Sequence, residues 1–311
     1  MNKLENTVDV VIIGGGPAGM SAALVLGRAR KTVIVLDEEL PRNRVTHESH
    51  GFLTRDGITP GKFRQIARAE ISVYPSVHFV KDSAVSIIGQ DGDFQVTAGQ
   101  GEVYLARKIL IASGMKDLPL DIAGLNEVYG SSAFVCPYCD GWELQDQTLV
   151  LIAKGSRAVH MAKILSGWTK HFTLCTNGPD DLSDEQRVEL QQHQIPLFDQ
   201  PIQRIENKKG IVERVVLEDG TEIRCTGIFF APKLAPGSDL AQSLGCQLTE
   251  TGVVVVEGFG KTSVAGVYSA GDAATEAQQL IAAAAAGSLA AAGINGELQF
   301  EAWDRVEELK A

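Results

Sequence analysis

A glycine-rich turn between a buried strand and a helix constrains the fold of this chain most strongly. Residues 8–13 are an apolar run of strand length, residues 17–30 have helical spacing, and residues 32–36 are again apolar and β-branched. The turn after the first run reads Gly14-Gly15-Gly16-Pro17-Ala18-Gly19. A strand, a helix and a second strand in this order predict a βαβ unit and therefore a parallel sheet.

The same turn fits the G-x-G-x-x-G pattern of a dinucleotide site. Gly14 permits the tight turn, Gly16 lets the backbone approach a pyrophosphate, and Gly19 lets the helix pack closely on the strand. The start of the helix adds free N–H groups and partial positive charge. Asp37 follows the next strand, where its carboxylate would accept hydrogen bonds from a ribose diol. This context favours a dinucleotide site over a glycine turn without a ligand.

A second signal of the same kind lies near the C-terminus. Ser269-Ala270-Gly271-Asp272 follows a predicted strand and precedes an alanine-rich helix predicted over residues 277–295. Asp272 is either a helix N-cap or a flavin contact. The first motif favours the flavin contact, because FAD is too long to be held by one βαβ unit.

The length of 311 residues suggests about two domains. Antiparallel strands are predicted over residues 77–85, 94–98 and 102–105, and a buried strand over 108–112. A second βαβ-like unit begins near Thr148. Strands at 253–256 and 267–269 then return to the character of the first domain. The order predicts an α/β fold of two Rossmann-like, three-layer nucleotide-binding domains, the second inserted into the first.

Composition excludes several classes of function. The net charge of −11 repels phosphate backbones, so nucleic acid is not an expected partner. Residues 8–26 are mostly apolar, but Asp9 and three glycines interrupt them, and alanines 282–286 are only weakly apolar. No membrane span and no secretory leader are therefore expected. Five cysteines are an odd number, which argues against a disulfide-scaffolded extracellular domain.

Two of these cysteines form the motif Cys136-Pro137-Tyr138-Cys139, followed by Asp140-Gly141. Their sulfurs are close enough in sequence to form a disulfide across a short turn. The alternatives are half a zinc site or two buried thiols. Zinc needs four ligands, and the other three cysteines are isolated in the sequence, so a redox pair is favoured and no metal is expected. Asp140 is either a turn residue or a proton carrier for the leaving thiolate.

With these motifs in this order, the chain resembles the low-molecular-weight thioredoxin reductases among the FAD-dependent pyridine nucleotide-disulfide oxidoreductases. The resemblance implies an FAD domain over 1–117 and 235–311, interrupted by a pyridine-nucleotide-type domain over 118–234 that carries the redox pair. It implies a cytoplasmic homodimer. Cys139 would face the flavin, Cys136 would attack the substrate, and Asp140 would be the acid/base. The implied cofactor-binding residues are Gly14, Gly16, Pro17, Ala18, Gly19, Asp37, Gly114, Gly271, Asp272 and Gln279.

Two strings resemble a side branch of that family. Residues 136–143 and the loop His47-Glu48-Ser49-His50-Gly51-Phe52-Leu53 look like those of dithiol oxidases that close disulfides in gliotoxin and holomycin. His50 would fall near the flavin and the cysteine pair and assist thiol deprotonation. The alternative is a histidine of a surface loop.

The second glycine loop departs from the reductase pattern. It reads Ala153-Lys154-Gly155-Ser156-Arg157-Ala158, with alanine at the first glycine, and residues 176–178 after the next strand carry no basic cluster. The use of NAD(P)H is therefore open.

The leading function is a thiol-disulfide oxidoreductase acting on a thioredoxin-like protein or a small dithiol/disulfide. The alternatives are a dithiol oxidase with oxygen as acceptor and a non-catalytic flavin-binding redox sensor.

Overall fold

A computed structural model describes residues 7–118, 120–180 and 182–308. Residues 1–6 and 309–311, which the predicted FAD domain includes, lie outside the described residues, as do residues 119 and 181 of the predicted insert. The strands are β1 (Thr7–Ile13), β2 (Val33–Leu36), β3 (Val77–Val80), β4 (Ala84–Gln90), β5 (Asp93–Ala98), β6 (Val103–Ile111), β7 (Met115–Leu118), β8 (Ala133–Phe134), β9 (Leu149–Ile152), β10 (Phe172–Cys175), β11 (Leu197–Phe198), β12 (Ile202–Lys208), β13 (Ile211–Leu217), β14 (Glu222–Arg224), β15 (Gly227–Phe230), β16 (Lys233–Pro236) and β17 (Val267–Ser269). The α-helices are α1 (Pro17–Arg28), α2 (Pro60–Ile71), α3 (Leu125–Val128), α4 (Pro137–Asp140), α5 (Gly155–Leu165), α6 (Asp184–Gln192), α7 (Leu240–Ser243) and α8 (Leu280–Glu308). Short 3₁₀ helices cover Arg42–Val45, Gly258–Gly260 and Gly271–Ala273.

The larger sheet has seven strands in the order β3-β2-β1-β6-β5-β4, with β17 paired to β6. β1 pairs in parallel with β2 and with β6, as the βαβ pattern predicted. α1 and α8 cover one face of this sheet with small side chains. A methyl group on Gly287 of α8 would collide with the backbone of Ala18 in α1, so the two helices cross at close range.

Three predictions of individual elements in this domain are wrong. Residues 77–85 form two strands, because the Asp82 carboxylate accepts the N–H groups of Ser83 and Gln100 and breaks the run after β3. β3 then pairs in parallel with β2, and β4 pairs antiparallel with β5. Residues 102–105 and 108–112 lie mostly in the single strand β6. Residues 253–256 form only an isolated bridge, because the N–H of Val254 bonds to the loop carbonyl of Ala273.

The second domain is built around a five-stranded parallel sheet in the order β11-β10-β9-β15-β8. Alternate side chains of β9 face opposite sides, since the period of a strand is two residues. Leu149 and Leu151 pack on α5, whereas Val150 and Ile152 pack against the antiparallel sheet β12-β13-β14. The domain therefore has three layers, which confirms the predicted fold class.

Both connections between the two domains run through a two-stranded antiparallel ribbon. β7 leaves the first sheet and β16 returns to it, with Met115 opposite Pro236 and Leu118 opposite Lys233. The second domain is thus inserted into the first, as predicted.

Among the described helices, α8 is the one whose segment Leu280–Arg305 is long and apolar enough to span a membrane. It extends well beyond the predicted end at residue 295. Its C-terminal half carries Glu297 and Glu301, which form ion pairs at 3.2 Å and 2.5 Å with the fully buried Lys108 of β6. These pairs hold the helix against the interior strand β6 of the sheet.

Candidate active site

The glycine turn after β1 leaves an open backbone cradle at the start of α1. Gly14 has φ +103°, and a methyl group there would collide with the carbonyl of Ala112. A methyl group on Gly19 would collide with the Gly14 carbonyl oxygen. A Cβ on Gly16, by contrast, would meet no described atom within 4 Å, and no described side chain caps the helix, which begins at Pro17. The open space and the uncapped N–H groups fit the pyrophosphate of FAD.

Asp37 lies beside this turn as a buried carboxylate. Arg64 and Arg68 of α2 both donate to its Oδ2, and the N–H of Glu39 donates to Oδ1 at 3.2 Å. Burial raises the pKa of Asp37, but the charge of Arg64 and these hydrogen bonds outweigh it and bring the pKa below its usual value. The ionised oxygens retain lone pairs for a ribose diol.

Arg64 is a site residue that the sequence analysis missed. Its Nη1 also donates to the carbonyl of Gly15 at 2.9 Å, so its positive charge lies directly at the glycine turn. The available signal was the spacing of Arg64 and Arg68, which places both side chains on one face of α2.

The C-terminal motif is brought against the same turn. Gly271 has φ +73°, and a Cβ there would lie 2.8 Å from the Cβ of Ala18, so the motif packs on the first turn of α1. Asp272 lies 3.7 Å from Arg42. Burial raises the pKa of Asp272, and Arg42 opposes that rise.

Arg42 joins this motif to the ribbon between the domains. It donates two hydrogen bonds to Asp117 of β7, at 2.8 Å and 2.6 Å, and a third to the side chain of Gln278. The hydroxyl of Tyr129, from the inserted domain, donates to Asp117 at 2.7 Å. The structure therefore places the Gln278 amide in this cluster, while the predicted Gln279 is exposed.

Gly114, another predicted cofactor residue, precedes β7 with φ +66°. A Cβ there would meet no described atom within 4 Å, so its backbone borders open space. Its carbonyl accepts the N–H of Gly237 at 2.8 Å, which ties the turn to the chain after β16. The position leaves room for a ligand close to the ribbon.

The cysteine pair lies on the short helix α4 of the inserted domain. Cys136 precedes the helix, and its carbonyl accepts the N–H groups of Cys139 and Asp140, both at 3.1 Å. The two cysteines form a disulfide, and both are half-buried. Gly141 lies so close to the ring of Trp168 that a Cβ would approach it to 2.9 Å. The indole thus supports the turn that follows the pair.

Asp140 directly follows this disulfide, and His50 of the other domain acts electrostatically on it and approaches the same segment at Glu143. His50 Nε2 lies 3.6 Å from Glu143 Oε1, and His50 Nδ1 lies 3.6 Å from Asp56 Oδ1. Burial, together with the charge of Glu143, raises the pKa of Asp140 to about 7, while His50 opposes the rise. A carboxyl group with this pKa can both give and take a proton at neutral pH.

The second glycine loop has a different shape. Two residues separate the end of β9 from the start of α5, against three between β1 and α1, so this loop is one residue shorter. Ala153 is buried, and Arg157 donates to the carbonyl of Pro232 at 3.2 Å. Lys154 Nζ lies 3.6 Å from where a Cβ on Gly178 would be. The Lys154 ammonium therefore lies beside the loop that follows β10.

The position after β10 also differs from its counterpart in the first domain. Asp37 follows β2, whereas Thr176 follows β10 and donates its hydroxyl to the Gly178 carbonyl at 2.7 Å. The carboxylate that would accept a ribose diol is thus replaced by a hydroxyl that is already bonded within its own loop.

The remaining cysteines are buried and apart from the pair. Burial raises the pKa of Cys175 and Cys225 to about 12, so both are thiols at neutral pH. Cys246 is also buried and free. Within residues 7–118, 120–180 and 182–308, no cluster of three or more His, Cys, Asp or Glu side chains could hold a metal ion.

Comparison with known proteins assigns the chain to a family. Residues 8–287 match the family described as pyridine nucleotide-disulphide oxidoreductase. The thioredoxin reductase sirT of Leptosphaeria maculans is 31% identical over 314 residues, covering 95% of each chain. A Bacillus anthracis structure named TrxB superposes with a TM-score of 0.90 at 39% identity, covering 94% of this chain and 99% of that one. The structure of HlmI gives a TM-score of 0.93 at 31% identity, covering 98% and 96%.

These matches confirm the family inferred from the glycine turn and the cysteine pair. The chain belongs to the pyridine nucleotide-disulphide oxidoreductase family and is an FAD-dependent oxidoreductase of the thioredoxin reductase-like type.

Proposed function

We propose that this protein is a thiol-disulfide oxidoreductase whose Cys136–Cys139 pair carries electrons between FAD and an external dithiol or disulfide. The observation that supports this most is the half-buried disulfide flanked by Asp140, a carboxyl group with a pKa of about 7. A purely structural disulfide needs no proton carrier beside it, whereas thiol exchange moves one proton for each thiolate formed.

Each residue of the pair has one task in this proposal. A substrate thiolate attacks Sγ of Cys136, the Cys136–Cys139 bond breaks, and Cys139 leaves with the bonding electron pair. The second substrate thiolate then displaces Cys136, which closes the substrate disulfide and leaves both enzyme cysteines reduced. Asp140 gives a proton to, or takes it from, Sγ of Cys139. Bound FAD would supply the two-electron acceptor or donor for the pair.

The cofactor would be held by the chain's own groups around the glycine turn. The backbone at Gly14, Gly16 and Gly19 would face the pyrophosphate, with Pro17 and Ala18 opening the helix, and Asp37 would accept from the ribose. The remaining proposed contacts are Gly114, Gly271, Asp272 and Gln279.

Two single substitutions test the roles of the cysteines. Cys136→Ser should leave the Cys139 thiolate beside oxidised flavin and produce a long-wavelength charge-transfer band. Cys139→Ser should abolish turnover without that band. Absorbance spectra and turnover with a small dithiol measure both. Full activity in both variants would show that the pair is structural.

The second candidate function is a dithiol oxidase, in which electrons would pass from the substrate dithiol through the cysteine pair and FAD to oxygen. It is favoured by the second glycine loop, where the buried Ala153 stands at the first glycine of the pattern. A reduced substrate dithiol and oxygen would yield the substrate disulfide and hydrogen peroxide, which balances two electrons and two protons.

The identity of the partner also belongs to this proposal. Relatives named thioredoxin reductase suggest a thioredoxin-like protein, while a small dithiol or disulfide suits the side-branch resemblance.

We propose that the FAD domain comprises residues 1–117 and 235–311, with the insert between them. Cytoplasmic location and a homodimer remain predictions. Light scattering should then give about twice the chain mass of 33.3 kDa.

A further inference from the structure

We infer that Glu143 is a positioning residue for the thiol chemistry: it holds His50 of the FAD domain against the redox-pair segment and, with it, controls when Asp140 releases its proton. This inference rests on the proposed function of the cysteine pair. It assigns a role to Glu143, which closes the string of residues 136–143 but had none in the sequence analysis.

The placement of Glu143 follows from the turn after α4. The N–H of Leu144 bonds to the carbonyl of Gly141, so the chain continues to curl beyond the helix. Residues three apart on such a curl lie on one side, so the Glu143 carboxylate acts electrostatically on Asp140. Glu143 is 43% exposed, so a change there does not disturb a packed core.

His50 approaches the same point from the other domain. Its loop is closed by a bridge between Ser49 and Ile58, and the Phe52 ring packs on Phe63 of α2, with centroids 5.2 Å apart. These contacts fix the base of the loop. The imidazole is 19% exposed and is less exposed than each of the three carboxylates near it.

Three carboxylates surround the His50 ring. Glu48 and Asp56 come from its own loop, at 3.8 Å from Nε2 and 3.6 Å from Nδ1, and both are largely exposed. Glu143 alone comes from the redox-pair segment, at 3.6 Å from Nε2. The His50–Glu143 pair therefore links the FAD-domain loop to the segment that carries Asp140.

Groups from the two domains thus act on the pKa of Asp140 in opposite directions. Burial and Glu143 raise the pKa of Asp140, and His50 lowers it. When a substrate thiolate opens the disulfide, Cys139 leaves as a thiolate and the Asp140 carboxyl supplies the proton to its Sγ. In the reverse step, the Asp140 carboxylate takes that proton back. Glu143 favours the protonated form of Asp140, which donates to Cys139, and His50 favours the ionised form, which accepts from it. Proton transfer in both directions is therefore available near neutral pH.

The test is a pH titration of Asp140 in the oxidised holoenzyme. Infrared difference spectra report the carbonyl stretch of the protonated carboxyl group, and Asp140→Asn assigns that band. In Glu143→Gln the midpoint should fall by about 1 unit, the lower end of the effect of one nearby charge. The protonated fraction at pH 7 would then fall from about one half to about one tenth. In His50→Asn the midpoint should rise.

Two further variants separate charge from structure. Glu143→Asp keeps the carboxylate and should retain most of the wild-type midpoint. Asp146→Asn removes an exposed carboxylate three residues further along, at φ +57°, and should leave the midpoint and the turnover unchanged. A midpoint in Glu143→Gln equal to that of wild type, or a shift of equal size in Asp146→Asn, would overturn the inference.

Failure of the inference about Glu143 can be distinguished from failure of the proposed function. If Cys136→Ser shows the charge-transfer band and Glu143→Gln shows no shift, the inference fails and the function stands. If that band is absent while the opposite shifts occur, the charge arrangement stands and the redox role of the pair fails.

Discussion

Individual glycines of the turn before α1 serve two separate physical purposes. At Gly19 a side chain would collide with the protein's own backbone, whereas at Gly16 it would enter space that belongs to a ligand. Gly16 has φ −76° and ψ −173°, which alanine also adopts readily. Stability and cofactor binding can therefore be changed separately within four residues.

Gly16→Ala should weaken FAD binding without destabilising the apoprotein. The added methyl group would hold the pyrophosphate away from the backbone N–H groups, and losing one charge-assisted hydrogen bond of roughly 1.5 kcal/mol costs about tenfold in affinity. Titration of the apoprotein with FAD, followed by flavin fluorescence, measures the affinity. An unchanged dissociation constant would show that the cradle does not hold the pyrophosphate.

Gly19→Ala and Gly61→Ala provide the controls for that experiment. Gly19→Ala should lower the free energy of unfolding of the apoprotein by about 3 kcal/mol, because the helix must move off the strand. Gly61 lies in α2, and its Cβ would meet no described atom within 4 Å. Alanine there should stabilise the chain by roughly 0.5–1 kcal/mol and leave FAD binding unchanged.

At the scale of elements, the long helix α8 is held to the sheet by charge as well as by small side chains. Glu297 accepts hydrogen bonds from Lys261 at 2.5 Å and from Lys108 at 3.2 Å. Burial alone would raise the pKa of Glu297, but these two ammonium groups contribute to lowering it to about 2. The carboxylate is therefore more acidic in the folded chain than in the unfolded chain.

This shift predicts a specific pH dependence of stability. Between about pH 4.5 and pH 2 the unfolded chain binds the Glu297 proton and the folded chain does not, so stability falls as pH falls through that window. Glu297→Gln should remove about 2 kcal/mol at pH 7 and flatten this acid limb. Urea unfolding at a series of pH values measures both. Asp304→Asn, on an exposed position of α8, is the control, and equal acid slopes in wild type and Glu297→Gln would contradict this account.

Local patterns in the sequence were sufficient for the βαβ units and for the residues of the glycine turn. These patterns depend only on neighbouring residues, because apolar runs of strand length and glycines at fixed spacing can be recognised from the local sequence. The break in residues 77–85 was missed because it depends on Asp82 bonding to Gln100, eighteen residues away. Contacts such as Arg42–Asp117, Arg64–Asp37 and His50–Glu143 join segments that only the tertiary fold brings together.

At the scale of the whole molecule, two domains of similar architecture differ in their glycine loops and in the residue that follows the next strand. The first has an open glycine cradle and a buried acid, and the second has a shorter loop and a hydroxyl in place of that acid. The insert contributes the redox pair, and the loop of His50 reaches it from the FAD domain. Electrons should therefore enter through the cysteines more readily than through a nucleotide bound to the insert.

Anaerobic rapid mixing tests this central claim most directly. Wild type and Cys136→Ser are mixed with dithiothreitol or with NADPH while the visible absorbance of the flavin is followed. We predict that the dithiol bleaches the flavin of wild type rapidly and that of Cys136→Ser slowly or not at all, and that micromolar NADPH bleaches wild type slowly. Equal rates with dithiol in both proteins would contradict the role of the cysteine pair, and bleaching by NADPH within milliseconds would contradict the outward direction of electron flow.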